Sequence, residues 1–293
     1  MVIVNLSGGL GNQMFQYAAA RRLAWHHNTE IKVDLSPFKT DSLRKYELHN
    51  LNANATIASP LEVIEIVGWS RKLSLKLLLR FRQIIGLRKL QRSVFREKHF
   101  HFDPALLSAS NNIYLEGFWQ SEKYFKDIER IIRREFVMRD PVSKSKQEII
   151  NEIMDTNSVS LHVRRGDYLI NPRAKQLLVV CDAEYYLKSV EIMSSKVERP
   201  HFYIFSDDIK WAKENIIMPF KTTFVGENGP RKSYEDLRLM SLCKHNIIAN
   251  SSFSWWGAWL NENPNKIVIA PKQWFRSSEK DTKDLIPESW LKI

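Results

Sequence analysis

Cysteine is almost absent: the 293 residues include two, Cys181 and Cys243. That is too few for a disulfide framework, and it matches no zinc spacing, so both read as small buried thiols in a reducing compartment. Long hydrophobic runs are also missing. No uninterrupted stretch of about 18 apolar residues occurs, so no membrane-spanning helix is predicted. The opening Met-Val-Ile-Val-Asn-Leu has neither the charged start nor the long apolar run of a signal peptide, and reads as a first strand in a cytoplasmic protein. No internal repeat or low-complexity tract appears. Nowhere does Asp-x-Asp occur, which argues against a metal-bridged diphosphate.

What is present is an ordinary globular composition. With 44% hydrophobic and 26% charged residues, the chain has enough apolar surface to fold and enough length for two cores. Its net charge of +11 is uneven: nine Lys and Arg lie between residues 71 and 96 without one acid, interleaved with Leu, Ile and Phe. This stretch is expected to be a basic helical insertion, either a solvated surface face or a contact for an anionic membrane surface. No recognition motif accompanies the charge, so nucleic acid is not expected as a partner.

Strands and helices alternate twice. Residues 2–6 read as a strand, 13–27 as a helix, 30–34 as a strand, 112–116 as another strand and 121–136 as a helix. After a break near 139–141 comes a helix at 143–154. The rhythm then restarts with strands at 158–163, 201–206, 246–250 and 266–270, and helices at 182–193, 233–241 and 253–260. Two such runs predict an α/β protein of two Rossmann-like, doubly wound domains facing a cleft, with ligands at the carboxyl ends of the strands. The expected division is 1–155 and 156–293.

Four segments carry candidate chemistry. Ser7-Gly8-Gly9-Leu10-Gly11-Asn12-Gln13 joins a strand to a helix, where glycines let the backbone approach a ligand. With Asp34 it invites a dinucleotide reading, which fails at Met14, where a third glycine would stand. His162-Val163-Arg164-Arg165-Gly166-Asp167-Tyr168 closes an apolar strand, and an arginine fork there suits a pyrophosphate. Asp167 could be a base or could hold an arginine. Phe205-Ser206-Asp207-Asp208 ends another strand; its carboxylates could accept hydrogen bonds from a base edge, or Asp208 could cap a helix. Asn250-Ser251-Ser252-Phe253 precedes a tryptophan-rich helix, where hydroxyls and free N–H groups could meet phosphate oxygens or simply cap the helix. Trp255, Trp256 and Trp259 have the spacing of a buried face.

Taken in order, these segments, together with Glu116-Gly117-Phe118-Trp119-Gln120, resemble the α-1,2-fucosyltransferases of glycosyltransferase family 11. The resemblance implies a GT-B architecture, GDP-β-L-fucose as donor, no metal and no cofactor. It implies inverting transfer to the 2-hydroxyl of a galactoside-terminated acceptor. It also implies that His162 and Asp207 or Asp208 hold the guanine, that Arg164 binds the pyrophosphate with Arg165 assisting, and that Ser251, Ser252 and Phe253 line the same pocket. Gly9, Gly11, Asn12 and Glu116 would face sugar and acceptor. Asp167 and Glu116 are both candidates for the base, with Asp167 preferred. The expected location is cytoplasmic, with the inner face of the plasma membrane as the surface that the charge of 71–96 would meet if it is not simply a solvated face.

Overall fold

The strand Val2–Asn5 (β1) is apolar and buried along most of its length, as a strand covered on both faces must be. In the computed structural model, which describes all residues except 69–92, 143, 227–231 and 278, it is the centre of a five-stranded parallel sheet. Its partners are Ile31–Asp34 (β2) and Ile113–Glu116 (β5), with Thr56–Ile57 (β3) and Val94–Arg96 (β4) at the edges, in the order β3-β2-β1-β5-β4. Leu10–His26 (α1) joins β1 to β2, and Pro60–Val67 (α2) starts from a Ser59/Glu62 capping box. Glu129–Glu135 (α3) is the last helix of this unit.

The second sheet has six parallel strands. Asn157–Val163 (β6) and Pro200–Ser206 (β7) are seven residues each. Lys221–Val225 (β8), His245–Ile247 (β9), Val268–Ala270 (β10) and Leu291–Lys292 (β11) complete it, in the order β11-β10-β9-β6-β7-β8. Its helices are Lys144–Asp155 (α4), Gly166–Ile170 (α5), Pro172–Leu177 (α6), Ala183–Ser194 (α7), Ile209–Asn215 (α8), Ser233–Leu242 (α9) and Ser252–Leu260 (α10). Alternate residues of β7 enter different cores. Phe202 and Ile204 pack with Tyr186, Val190 and Met193, whereas Tyr203 and Phe205 pack with Ile153, Leu239 and Met240. Both faces of the sheet are therefore covered, the doubly wound pattern.

Each sheet has one place where the winding reverses: between β1 and β5 in the first unit, and between β6 and β9 in the second. Outside the carboxyl ends of strands at such a point is where open α/β sheets take ligands.

Three expectations need correcting. The chain divides into Met1–Val137 and Met138–Ile293 rather than at 155, because α4 buries Ile153 against Tyr203 and Phe205 of the second sheet. The segment 121–136 is not one helix but two 3₁₀ turns, Glu122–Tyr124 and Lys126–Ile128, followed by α3. The basic stretch 71–96 lies outside the described residues up to 92, and Val94–Arg96 is a strand paired to β5 rather than helix. Both cysteines are buried and free. Burial pushes the Cys181 thiol up to about 11 and Cys243 upward as well, which keeps them protonated and unreactive.

Candidate functional site

In the second unit, three neighbouring strands deliver their last residues to one edge. His162 is the penultimate residue of β6, buried, with its ring 5.7 Å from that of Phe253 in α10. Arg164 follows the strand, and its Nη1 lies 3.1 Å from Asp207 Oδ2, beyond the end of β7. Its guanidinium also stands 5.5 Å from the ring centre of Tyr168. Arg165 turns to different partners: its guanidinium lies 3.8 Å over the Trp211 ring, its Nε is 3.9 Å from Asp208, and its backbone N–H donates to Asp207 Oδ1 at 2.9 Å. Adjacent residues on an extended chain face opposite ways, which separates the two guanidinium groups.

Gly166 packs closely under this arrangement. A Cβ there would stand 3.0 Å from Asp207 Oδ2 and 3.2 Å from its Cγ, so a side chain would shift, by a few tenths of an ångström, the carboxylate that holds Arg164. Asp208 caps α8, accepting from Trp211 N at 3.1 Å, while its own N–H donates to Ser206 Oγ. Ser251 caps α10, accepting from Phe253 N at 3.3 Å. The capping readings of both are thus realised. Ser252 opens α10, the first turn of which presents the N–H groups that attract anions. Tyr168 donates its hydroxyl to Asn250 O at 2.9 Å and ties the Arg164 loop to the segment between β9 and α10. The backbone of Asp167 lies in α5, but its side chain is outside the described part of the structure. The tryptophans 255, 256 and 259 are buried, as their spacing predicted; Trp255 meets Trp256 edge-on, lies parallel to Trp259 and packs at a tilt on Trp290.

The first unit carries the second cluster. Gly8 has φ +75°, and a Cβ there would lie 2.6 Å from Asn12 Nδ2; both the left-handed backbone and the close approach demand glycine. Gly9 is the N-cap of α1 and Gly11 already lies within its first turn. Asn12 Oδ1 accepts from Gln120 Nε2 at 2.8 Å, and Gln16 Nε2 donates to Gly117 O at 3.0 Å. The glycine loop and the segment after β5 are therefore one assembly. Glu116 ends β5 and is ion-paired to Arg96 at 2.8 Å, both half exposed. Trp119 has φ +56°, a conformation that costs a bulky residue about 1–3 kcal/mol.

Asp34 is no ribose ligand. It is buried and accepts from Tyr114 Oη at 2.7 Å, from Ser36 N and Oγ, and from Asn5 Nδ2. Met14 is fully buried where a dinucleotide fold needs glycine. The dinucleotide reading fails on both counts.

The sequence reading quoted Gly166 and Tyr168 within the arginine motif without giving them a role, and did not single out Trp211 or Glu97. Trp211 had a signal, an aromatic residue in the first turn of the helix that Asp208 caps. The other three depend on partners far away in the chain.

The profile of Glycosyl transferase family 11 matches residues 88–293. An Alpha-1,2-colitosyltransferase of Escherichia coli is 33% identical over 308 aligned residues, covering 100% of this chain and 99% of that protein. The O-antigen biosynthesis glycosyltransferase WbnK of Escherichia coli is 31% identical, covering 98% and 99%. Human Galactoside alpha-(1,2)-fucosyltransferase 1 is 30% identical over half of this chain and 42% of its own length. Among solved structures, POFUT1 in complex with GDP-fucose superposes with a TM-score of 0.51 at 11% identity, covering 92% of this chain and 97% of that one, a likeness of fold alone. A family profile spanning most of the chain, full-length relatives and two parallel-sheet α/β units agree: the chain belongs to glycosyltransferase family 11 and is a glycosyltransferase of GT-B fold.

Proposed function

We propose that the chain transfers L-fucose from GDP-β-L-fucose to the 2-hydroxyl of a terminal β-galactoside, with inversion and without a metal. The observation that carries this reading is the guanidinium of Arg164, held 3.1 Å from Asp207 across the carboxyl ends of β6 and β7, β6 being one of the two strands that flank the reversal. A cation fixed in advance at that point stabilises charge as it develops on the departing diphosphate. It favours the transition state over the bound donor, which is what accelerates the step. Arg165, packed on Trp211, braces the loop. His162 and Phe253 flank the guanine, whose donors are met by Asp207 or Asp208. Ser251, Ser252 and the first turn of α10 take phosphate oxygens. Asp167 receives the acceptor proton. In the first unit, Gly9, Gly11, Asn12 and Glu116 face sugar and acceptor. The enzyme works in the cytoplasm on the inner membrane face, where its basic stretch meets anionic lipid.

The test is to follow GDP release from GDP-fucose with and without a β-galactoside, and to read the product linkage by NMR. Release that depends on the galactoside, with a new 1,2-linkage, is the expected result. Release indifferent to galactoside, or a different linkage, rules the reading out. A second reading has its own support, since a full-length relative is named an Alpha-1,2-colitosyltransferase. Supplying nucleotide-activated colitose in parallel distinguishes the two by which sugar is transferred.

A further inference from the structure

At the point where the first sheet reverses, one aromatic residue stands out in solvent while everything around it is pinned. Phe118 is 41% exposed and lies between Gly117 and the fully buried Trp119. Both oxygens of Glu97, just past the end of β4, are committed to this turn: Oε2 accepts from Phe118 N and Oε1 from Trp119 N, each at 2.9 Å. The Trp119 ring is wedged between Phe95 and Tyr124, with centroids 5.8 and 5.6 Å away. Position 117 tolerates no side chain, because a Cβ would meet Glu97 Cβ at 2.5 Å and Trp119 at 2.8 Å. Gly117 O and Gln120 Nε2 are bonded to Gln16 and Asn12 of the glycine-loop assembly.

The left-handed backbone at Trp119 turns that ring inward and leaves its neighbour outward. A single exposed apolar side chain is ordinary. An exposed ring whose backbone is fixed from three sides, in a strained turn at the reversal point of the sheet, is a feature to be read for function. Planar polar groups belong to the residues on either side of the turn: the Glu116–Arg96 pair immediately before it, and Gln120, bonded to Asn12, just after it. A ring for an apolar face and planar groups for a hydroxyl edge match the two sides of a pyranose, which offers C–H groups on one face and hydroxyls at its rim.

We infer that Phe118 is the platform on which the terminal sugar of the acceptor lies, with its C–H face on the phenyl ring, so that this residue positions and selects the acceptor and takes no part in holding the donor. The choice of a β-galactoside rests on the function proposed above; the ring contact does not.

The experiment is saturation-transfer NMR on the full chain with GDP and methyl β-D-galactopyranoside as probes. The wild-type protein saturates the C–H protons of the sugar's apolar face. Phe118→Ala and Phe118→Leu lose that signal, Phe118→Trp keeps it, and all four proteins saturate GDP equally. In turnover, Phe118→Ala raises the acceptor KM about tenfold, the magnitude of one aromatic contact, and leaves the donor KM unchanged. The GDP signal reports that each variant is folded. Undiminished sugar saturation in Phe118→Ala overturns the inference, as does a wild type that gives the sugar none. Sugar saturation by a wild type that transfers no fucose sinks the transfer reading instead and leaves the platform standing.

Discussion

Arg164 and Arg165 are neighbours in the chain yet have different employment. The ring of Trp211 and the cap residue Asp208 hold Arg165 in a structural nest, whereas Arg164 meets Asp207 at a strand end with its loop secured by Tyr168. If Arg164 stabilises the leaving diphosphate, Arg164→Ala lowers kcat about a hundredfold, from roughly 2.7–4 kcal/mol for one such donor. Arg164→Lys recovers part of it, since an ammonium supplies charge without the planar fork. Steady-state kinetics on variants with unchanged circular dichroism checks this, and near-wild-type turnover in the alanine variant removes the assignment. That two arginines stand just past the end of an apolar strand was legible from the residues alone. Which arginine met which carboxylate was not, because Arg165 and Asp207 are 42 residues apart and meet only once β6 and β7 pair.

At the scale of elements, β7 and β9 each carry a histidine held neutral by its surroundings. His201 Nε2 meets Thr223 Oγ1 at 2.8 Å and its Nδ1 meets Tyr203 Oη at 3.1 Å. Burial lowers its pKa below the ordinary 6.5, with Glu152 opposing and Lys221 reinforcing the shift. His245, lowered chiefly by burial and then by Lys244, accepts at Nδ1 from Ile267 N. Below 6.5 the unfolded chain binds protons that the folded one refuses, so stability falls as pH drops through that value and is level above it. Calorimetric melting across this range checks the sign, and His201→Gln makes the fall shallower; an equally steep fall excludes His201 as its source. The long apolar strands β6 and β7 were plain in the sequence. The edge strand β8 was not, because its opening Lys-Thr-Thr carries no buried pattern. The supposed helix at 121–136 broke up because Phe125 has φ −143° between two 3₁₀ turns, both its own ring and Tyr124 being drawn into the core.

For the whole molecule, the net charge of +11 and the acid-free stretch 71–96 predict binding to vesicles containing phosphatidylserine at low salt. Each cation near such a surface adds about 1 kcal/mol and is screened as salt rises. Replacing the Lys and Arg of 71–92 with Gln should abolish co-sedimentation; binding that persists in that variant, or at high salt, assigns the contact elsewhere. The sequence by itself determined that there are two doubly wound α/β units, with the glycine-rich and arginine-rich segments at strand ends, because alternating apolar strands and amphipathic helices are written in local periodicity. Only the tertiary structure decided that Asp34 is locked beneath Tyr114, 80 residues away, that α4 belongs to the second sheet, and that Glu97 fixes the turn presenting Phe118. Each of these joins segments distant in sequence, and no local pattern encodes a contact that exists only after the strands have chosen their neighbours.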